Sequence, residues 1–297
     1  MDSIETLKTS APGPLDSTAR VRFANILYTT DLTAAAERGL PYAIEIARRY
    51  HAMLYAAHVL NTDSYSTLPP VSWPKLIESE EASRREFRQH LEQQLATMPH
   101  EIIFLGGETW PTLAGIVEDK KIELVVLSTH GTFALEKAIL GSVAEEIFRH
   151  SPCPVLTVGP YAPVKPWKGA ELGQVLYATD FSTESLAAAP YAISIAREHR
   201  ARLILLTCHH GSEDVHALRQ TLQEIVPFGA ELRCEPDCIV ERGRPANKIL
   251  EVAESHGVDM IVLGVRGAEH FPGRQLANSG SYHIVANAVC PVLTVRS

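Results

Sequence analysis

The chain has 297 residues, 45% of them hydrophobic and 21% charged, with a formal net charge of -8. That balance suits a globular protein and disfavours sequence-independent binding along a nucleic-acid backbone. No apolar run approaches the roughly 18 residues of a membrane span, and the start, MDSIETLKTS, lacks the basic and apolar regions of a secretory signal, so a cytoplasmic protein with five reduced cysteines is expected.

Residues 1–22 are polar, contain Ala11-Pro12-Gly13-Pro14 and carry no sustained apolar period, which predicts a mobile tail. From Phe23 the pattern alternates. Strands are predicted over 25–30, 53–60, 101–105, 123–128 and 155–158, separated by helices over 34–51, 75–97, 112–120 and 142–150. Runs such as Leu124-Val125-Val126-Leu127 are apolar throughout, as expected of a parallel sheet covered on both faces by helices. Pro41 lies inside the first helical pattern, where it either kinks the helix or marks its true start. Residues 159–172, opening on Gly159-Pro160-Tyr161-Ala162-Pro163, predict an extended connector.

The pattern then starts again. Residues 175–197 match residues 26–48 at Leu27, Tyr28, Thr30, Asp31, Pro41, Tyr42 and Ala43 among others, and both halves close on Cys-Pro-Val-Leu-Thr-Val, from Cys153 and from Cys290. Each repeat is long enough to bury its own core. The chain therefore reads as two homologous α/β domains, 23–158 and 173–297, each a doubly wound five-stranded parallel sheet. Asp180 and Cys290 lie closer in sequence than Asp31 and Cys153, so the helix over 214–225 must be shorter than its counterpart.

After the fourth strand the first repeat reads Ser128-Thr129-His130-Gly131, then nine residues, then Gly141-Ser142 at a helix start. A loop that leaves a parallel strand and delivers backbone N–H groups to a helix amino end suits phosphate, and glycine lets the backbone approach an anion closely. In a doubly wound sheet the loops after the first and fourth strands are neighbours at the switch point, which brings Asp31 beside Gly131. Simple turn and cap roles for Asp31, Asp180, Gly131, Gly141 and Ser142, and a solvated loop role for His130, stand beside that reading. Cys234, Cys238, His209, His210 and His216 have no strong metal-ligand spacing, so no metal site is assigned.

The glycine spacing, the Asp after the first strand and both Cys-Pro-Val-Leu-Thr-Val endings resemble the universal stress protein family, whose nucleotide-binding members carry G-x2-G-x9-G-[ST] after the fourth strand. The resemblance implies ATP or another adenine nucleotide in the first domain, Mg2+ on the phosphates, and a role in stress response. It implies that Asp31 and the backbone around Val59 flank the adenosine, that His130 and Gly131 lie along the phosphates, and that Gly141, Ser142 and Val143 cradle them.

Ser128 replaces the first glycine of the pattern; if that position needs φ > 0, serine costs roughly 1 kcal/mol or more there. The second repeat keeps Asp180 and Gly264-Val265-Arg266-Gly267 but offers Asn278-Ser279, or in a rival alignment Gly280-Ser281, in place of Gly141-Ser142, so its site reads as degenerate. The resemblance further implies that the closing strands of the two domains meet in an internal pseudo-dimer, with leftover surface for a homodimer. No Gly-Lys-[Ser/Thr] loop, Gly-x-Ser-x-Gly turn or His-Glu-x-x-His helix is present, so enzymatic activity beyond slow ATP hydrolysis is not expected. A nucleotide-free interaction scaffold is the rival reading.

Overall fold

The apolar runs become strands buried on both faces. The structure, a computed structural model, describes residues 20–60, 73–129, 141–164, 166–167, 171–266 and 279–296. Its first half runs β1 (Asn25–Thr29), a 3-10 turn (Ala36–Gly39), α1 (Leu40–Tyr50), β2 (Met53–Leu60), α2 (Trp73–Leu95), β3 (His100–Gly106), α3 (Thr109–Asp119), β4 (Leu124–Ser128), α4 (Ser142–His150) and β5 (Val155–Val158). The second half runs β6 (Gln174–Ala178), α5 (Thr183–Leu186), α6 (Ala189–Glu198), β7 (Arg202–His209), α7 (Val215–Ile225), β8 (Asp237–Arg242), α8 (Pro245–Ser255), β9 (Met260–Val265), α9 (Gly280–Asn287) and β10 (Val292–Arg296). No described helix is long and apolar enough to cross a membrane.

The described strands form one sheet in the order β3-β2-β1-β4-β5-β10-β9-β6-β7-β8. Pairing inside each half is parallel, while β5 and β10 pair antiparallel with Leu156 opposite Leu293. Strand order reverses between β1 and β4, and again between β6 and β9, which opens a crevice at the carboxyl ends of those strands. Alternate strand residues feed two apolar layers. Tyr28, Leu54, Val126 and Tyr177 pack with α1, α2, α6 and α7; Leu27, Val125, Leu176 and Ile261 pack with α3, α4, α8 and α9.

Both prolines mark helix starts. Pro41 and Pro190 sit in the first turns of α1 and α6, where a missing N–H costs no intrahelical bond. The segment expected to be helical from residue 34 opens instead as the 3-10 turn Ala36–Gly39. At the other expected difference the outcome agrees with the spacing: α7 has 11 residues and α2 has 23.

The halves are joined by more than the β5–β10 ladder. Val21, assigned from sequence to the tail, donates its N–H to Ser194 Oγ at 3.0 Å, and Phe23 packs on Tyr50 and Tyr191 at 5.0 and 6.4 Å between ring centres. The tail thus ends before residue 20 as far as the described residues go; residues 1–19 lie outside them. Arg38 donates to the carbonyls of Pro160 and Ala162, Tyr42 to Pro163 O at 2.8 Å, and Trp167 Nε1 to Asp259 O at 3.1 Å, so the connector is fastened to both halves. Cutting the chain within residues 168–170 is therefore expected to leave two fragments that co-elute at micromolar concentration, with unchanged mass by light scattering. Free separation of the fragments would show that ladder and connector contacts do not hold the halves.

Candidate functional site

Each crevice is framed by a turn of the same build. Asp31 Oδ1 accepts from Thr33 N at 3.0 Å and from the Thr33 hydroxyl, while Thr30 Oγ1 accepts from Leu32 N at 3.0 Å. The second half repeats this with Asp180, Ser182, Thr179 and Phe181. These bonds hold Leu32 and Phe181 at φ of 65° and 62°, a left-handed conformation that costs about 1 kcal/mol or more for a bulky residue. Both aspartates thus have a structural job through Oδ1, and Oδ2 stays outside the turn's hydrogen bonds. Burial raises the Asp180 carboxyl, but the Ser182 and Ser185 hydrogen bonds outweigh it and hold the group below its ordinary pKa, as a carboxylate.

Ser128 and Gly264 are matched positions, and the condition attached to Ser128 is not met, because neither residue has a positive φ. Glycine is required at 264 for a different reason. A Cβ there would lie 2.0 Å from Glu184 O and 2.4 Å from Ser185 Cα, so α5 rests directly on the β9 backbone. In the first half Ser128 has a side chain in that place, and the segment after β1 stands off as the 3-10 turn. The Ser128 hydroxyl donates to Ala36 O at 3.0 Å, beside the Tyr28 hydroxyl, which donates to the same carbonyl at 3.0 Å. Gly39 completes the fit, since a Cβ on it would meet Ser128 Oγ at 3.0 Å. Ser128 is accordingly a strut between β4 and the turn.

The amino ends of α4 and α9 differ. Gly141 is the residue before α4; its N–H donates to Thr129 O at 3.1 Å, which draws the helix start to the end of β4, and, being glycine, it offers no side-chain cap. Its φ of -61° is open to any residue, so glycine is not needed there to permit a special turn. The first N–H groups of such a helix lack intrahelical acceptors and carry the positive end of the helix dipole. At α9, Ser279 stands before the first helical residue, Gly280, and its hydroxyl accepts from Tyr282 N at 3.2 Å. The second helix therefore caps itself.

A cavity of about 350 Å³ lies in the second crevice, bounded by Asp180, Glu184, Arg266, Ser279 and apolar walls. Cys208, at the position matching Val59, also lines it, and burial with the nearby Glu241 carboxylate pushes its thiol up to about 11, so it is a neutral wall atom. Sequence reasoning missed the residues that set this space. In the first half Trp110 of α3 packs in the layer that holds Val59 and Val143, its ring 5.9 Å from that of His150. In the second half the matching positions are Ala246 and Gly280. The signal was available in the helix starts, because Gly107 and Gly243, with φ of 142° and 141°, fix the register that pairs Trp110 with Ala246.

Of the residues singled out from sequence, the structure brings Asp31, Val59, Ser128, Gly141, Ser142 and Val143 to the carboxyl end of the first half, and Asp180, Gly264, Arg266 and Ser279 to that of the second. His130, Gly131, Gly267 and Asn278 lie outside the described residues. Among the described residues no three His, Cys, Asp or Glu side chains gather as a metal would require.

Comparison with known proteins agrees with this architecture. The profile of the universal stress protein family matches twice, over residues 22–159 and 172–296. A universal stress protein of Methanocaldococcus jannaschii is 29% identical over 139 residues, 46% of this chain and 82% of its own length. Another from Thermus aquaticus is 33% identical over 134 residues, covering 41% of this chain and 97% of its own. Among solved structures, a universal stress protein from Archaeoglobus fulgidus superposes with a TM-score of 0.70 at 21% identity, covering 93% of this chain and 99% of that one, a likeness of fold. With both halves matched by one family profile and joined in one sheet, the chain belongs to the universal stress protein family, in its tandem two-domain form.

Proposed function

We propose that this protein binds an adenine nucleotide, such as ATP, in the crevice of its first half, and that the nucleotide serves as a regulatory ligand in a cytoplasmic stress response. The observation that carries the reading is the amino end of α4, held at the end of β4 by the Gly141–Thr129 bond and preceded by a glycine that offers no side-chain cap. Anions bind such helix starts because several N–H groups and the helix dipole point at them. Asp31 Oδ2 supplies an acceptor for a sugar hydroxyl, Val59 offers apolar surface to a base, Gly141, Ser142 and Val143 cradle the phosphates, and His130 and Gly131 lie along them. Mg2+ would travel with ATP on its phosphates, with no described residue assigned to it. No nucleophile or acid and base pair is assigned, so the nucleotide acts by binding.

Calorimetric titration with ATP tests this. One equivalent per chain is expected, with micromolar-order affinity, about -8 kcal/mol. Gly141→Asp places a carboxylate at the helix start and is expected to abolish binding through repulsion and lost space. Unchanged ATP affinity in Gly141→Asp would remove the first-half site, and no binding to the unaltered chain would favour the scaffold reading.

A further inference from the structure

The second crevice differs from the first in three independent ways, all of which act on ligand charge and size. Its cavity, about 350 Å³, falls in the range of small-molecule sites, and Leu206, Ile249, Leu263 and Ile284 make its walls apolar. Small residues, Ala246 and Gly280, line it at the positions that hold Trp110 and Val143 in the first half. A Cβ on Gly280 would stand 3.8 Å from that of Ala246, and both residues line the cavity, so an indole at 246 adds bulk at its wall.

The polar rim is acidic. Asp180 lies there as in the first half, but Glu184 stands where the first half has Ala35, adding a second carboxylate. The one cation on the described rim, Arg266, lies 3.9 Å from Glu184 and is neutralised by it, which leaves the net charge negative. The third difference is the α9 amino end, where Ser279 uses its own hydroxyl to satisfy Tyr282 N. An incoming phosphate would have to displace that cap and approach two carboxylates. A ligand hydroxyl, by contrast, finds acceptors in both.

We infer that the second-half cavity is a site for an uncharged, hydroxyl-bearing ring compound of nucleoside size, and that it discriminates against the phosphorylated form of the same compound. The first-half proposal is not needed for this, and the two halves would then read the two charge states of related ligands separately.

The experiment uses the full chain carrying Gly141→Asp, which silences the first-half phosphate site, titrated with adenosine, guanosine, cytidine and uridine and with their 5′-monophosphates. At least one nucleoside is expected to bind with one equivalent per chain, and its monophosphate about tenfold or more weakly, the effect of one added like-charge contact. Ala246→Trp is expected to remove nucleoside binding. Glu184→Gln, which neutralises the extra carboxylate without adding bulk, is expected to narrow the gap between nucleoside and monophosphate and so tests the idea even if the tryptophan variant folds poorly.

Failure of all four nucleosides to bind at millimolar concentration overturns the inference. So does a monophosphate that binds as tightly as its nucleoside, or a folded Ala246→Trp chain that retains binding. The first-half reading fails on a different result, ATP affinity that Gly141→Asp leaves unchanged.

Discussion

Gly264→Ala is expected to destabilise the protein by about 3 kcal/mol or more, at the upper end of what overpacking a close-packed interior costs. The added methyl would meet Glu184 O at 2.0 Å, Ser185 Cα at 2.4 Å and Glu184 C at 2.6 Å. All three atoms are backbone, so no side-chain rotation relieves the clash. Either α5 lifts from β9 or β9 shifts within the sheet. Lifting α5 also disturbs the bond between Tyr177 Oη and Ser185 O at 2.8 Å and the Thr179–Ser185 hydroxyl contact at 2.8 Å, which anchor the turn that carries Asp180. Nucleoside binding in the second half should fall with stability.

Gly115→Ala in α3 is the control, because nothing lies within 4 Å of the new methyl and a helical glycine replaced by alanine gains about 0.5 to 1 kcal/mol. In the first half Ser128→Gly should lose only about 1 kcal/mol, the worth of its hydrogen bond to Ala36. Denaturant midpoints for the three variants decide it. A Gly264→Ala chain that unfolds with the unaltered protein would show that α5 does not press on β9 as described.

The same pair of positions marks where the sequence stopped being informative. The repeat, the strand runs and the helix over 142–150 were legible because apolar periodicity is a local signal, and α4 and β5 begin and end where it placed them. The substitution of Ser128 for glycine was visible too, but its meaning was not. A glycine fingerprint does not say whether the residue serves φ, ligand approach or packing, and here it serves packing against a segment far away in sequence.

Space was equally hidden. Trp110 fell outside the helix predicted over 112–120 and Ala246 was not singled out, and only the sheet order brings α3 beside α4, and α8 beside α9, where small residues line the second-half cavity. Ser279 looked like a relic of a phosphate loop; the geometry makes it a cap. The connector was legible as extended from its prolines, yet its attachment through Trp167 to Asp259 depends on a contact between segments distant in sequence.

Acidification should loosen the junction between the halves through His199. Its ring lies 6.2 Å from that of Tyr50 and 5.9 Å from that of Trp167, between α1, α6 and the connector, and Arg49 of α1 lies near. Burial and then the Arg49 charge lower its pKa from 6.5 to about 4. The folded chain therefore keeps His199 neutral where the unfolded chain would protonate it. Stability from this group is fully present above pH 6.5 and is lost as pH falls through 4, a total of about 3 kcal/mol at 1.36 kcal/mol per pH unit.

His100 is shifted the other way, since the Met98 carbonyl and Glu92 outweigh its burial, so its contribution is present below pH 6.5 and is lost as pH rises through its raised pKa, opposite in sign to that of His199. Carboxylates such as Glu213, lowered to about 2 by backbone N–H groups including its own, lose their contribution only at lower pH than His199 does. The window between pH 6.5 and 4.5 therefore isolates the histidine. His199→Phe keeps an aromatic ring against Trp167 and Tyr50 and removes the titration. Denaturant unfolding of both chains at pH 7 and at pH 4.5 should show a large fall for the unaltered protein and a much smaller one for His199→Phe. Equal falls would place the acid sensitivity elsewhere, in groups that do not sit between the two halves.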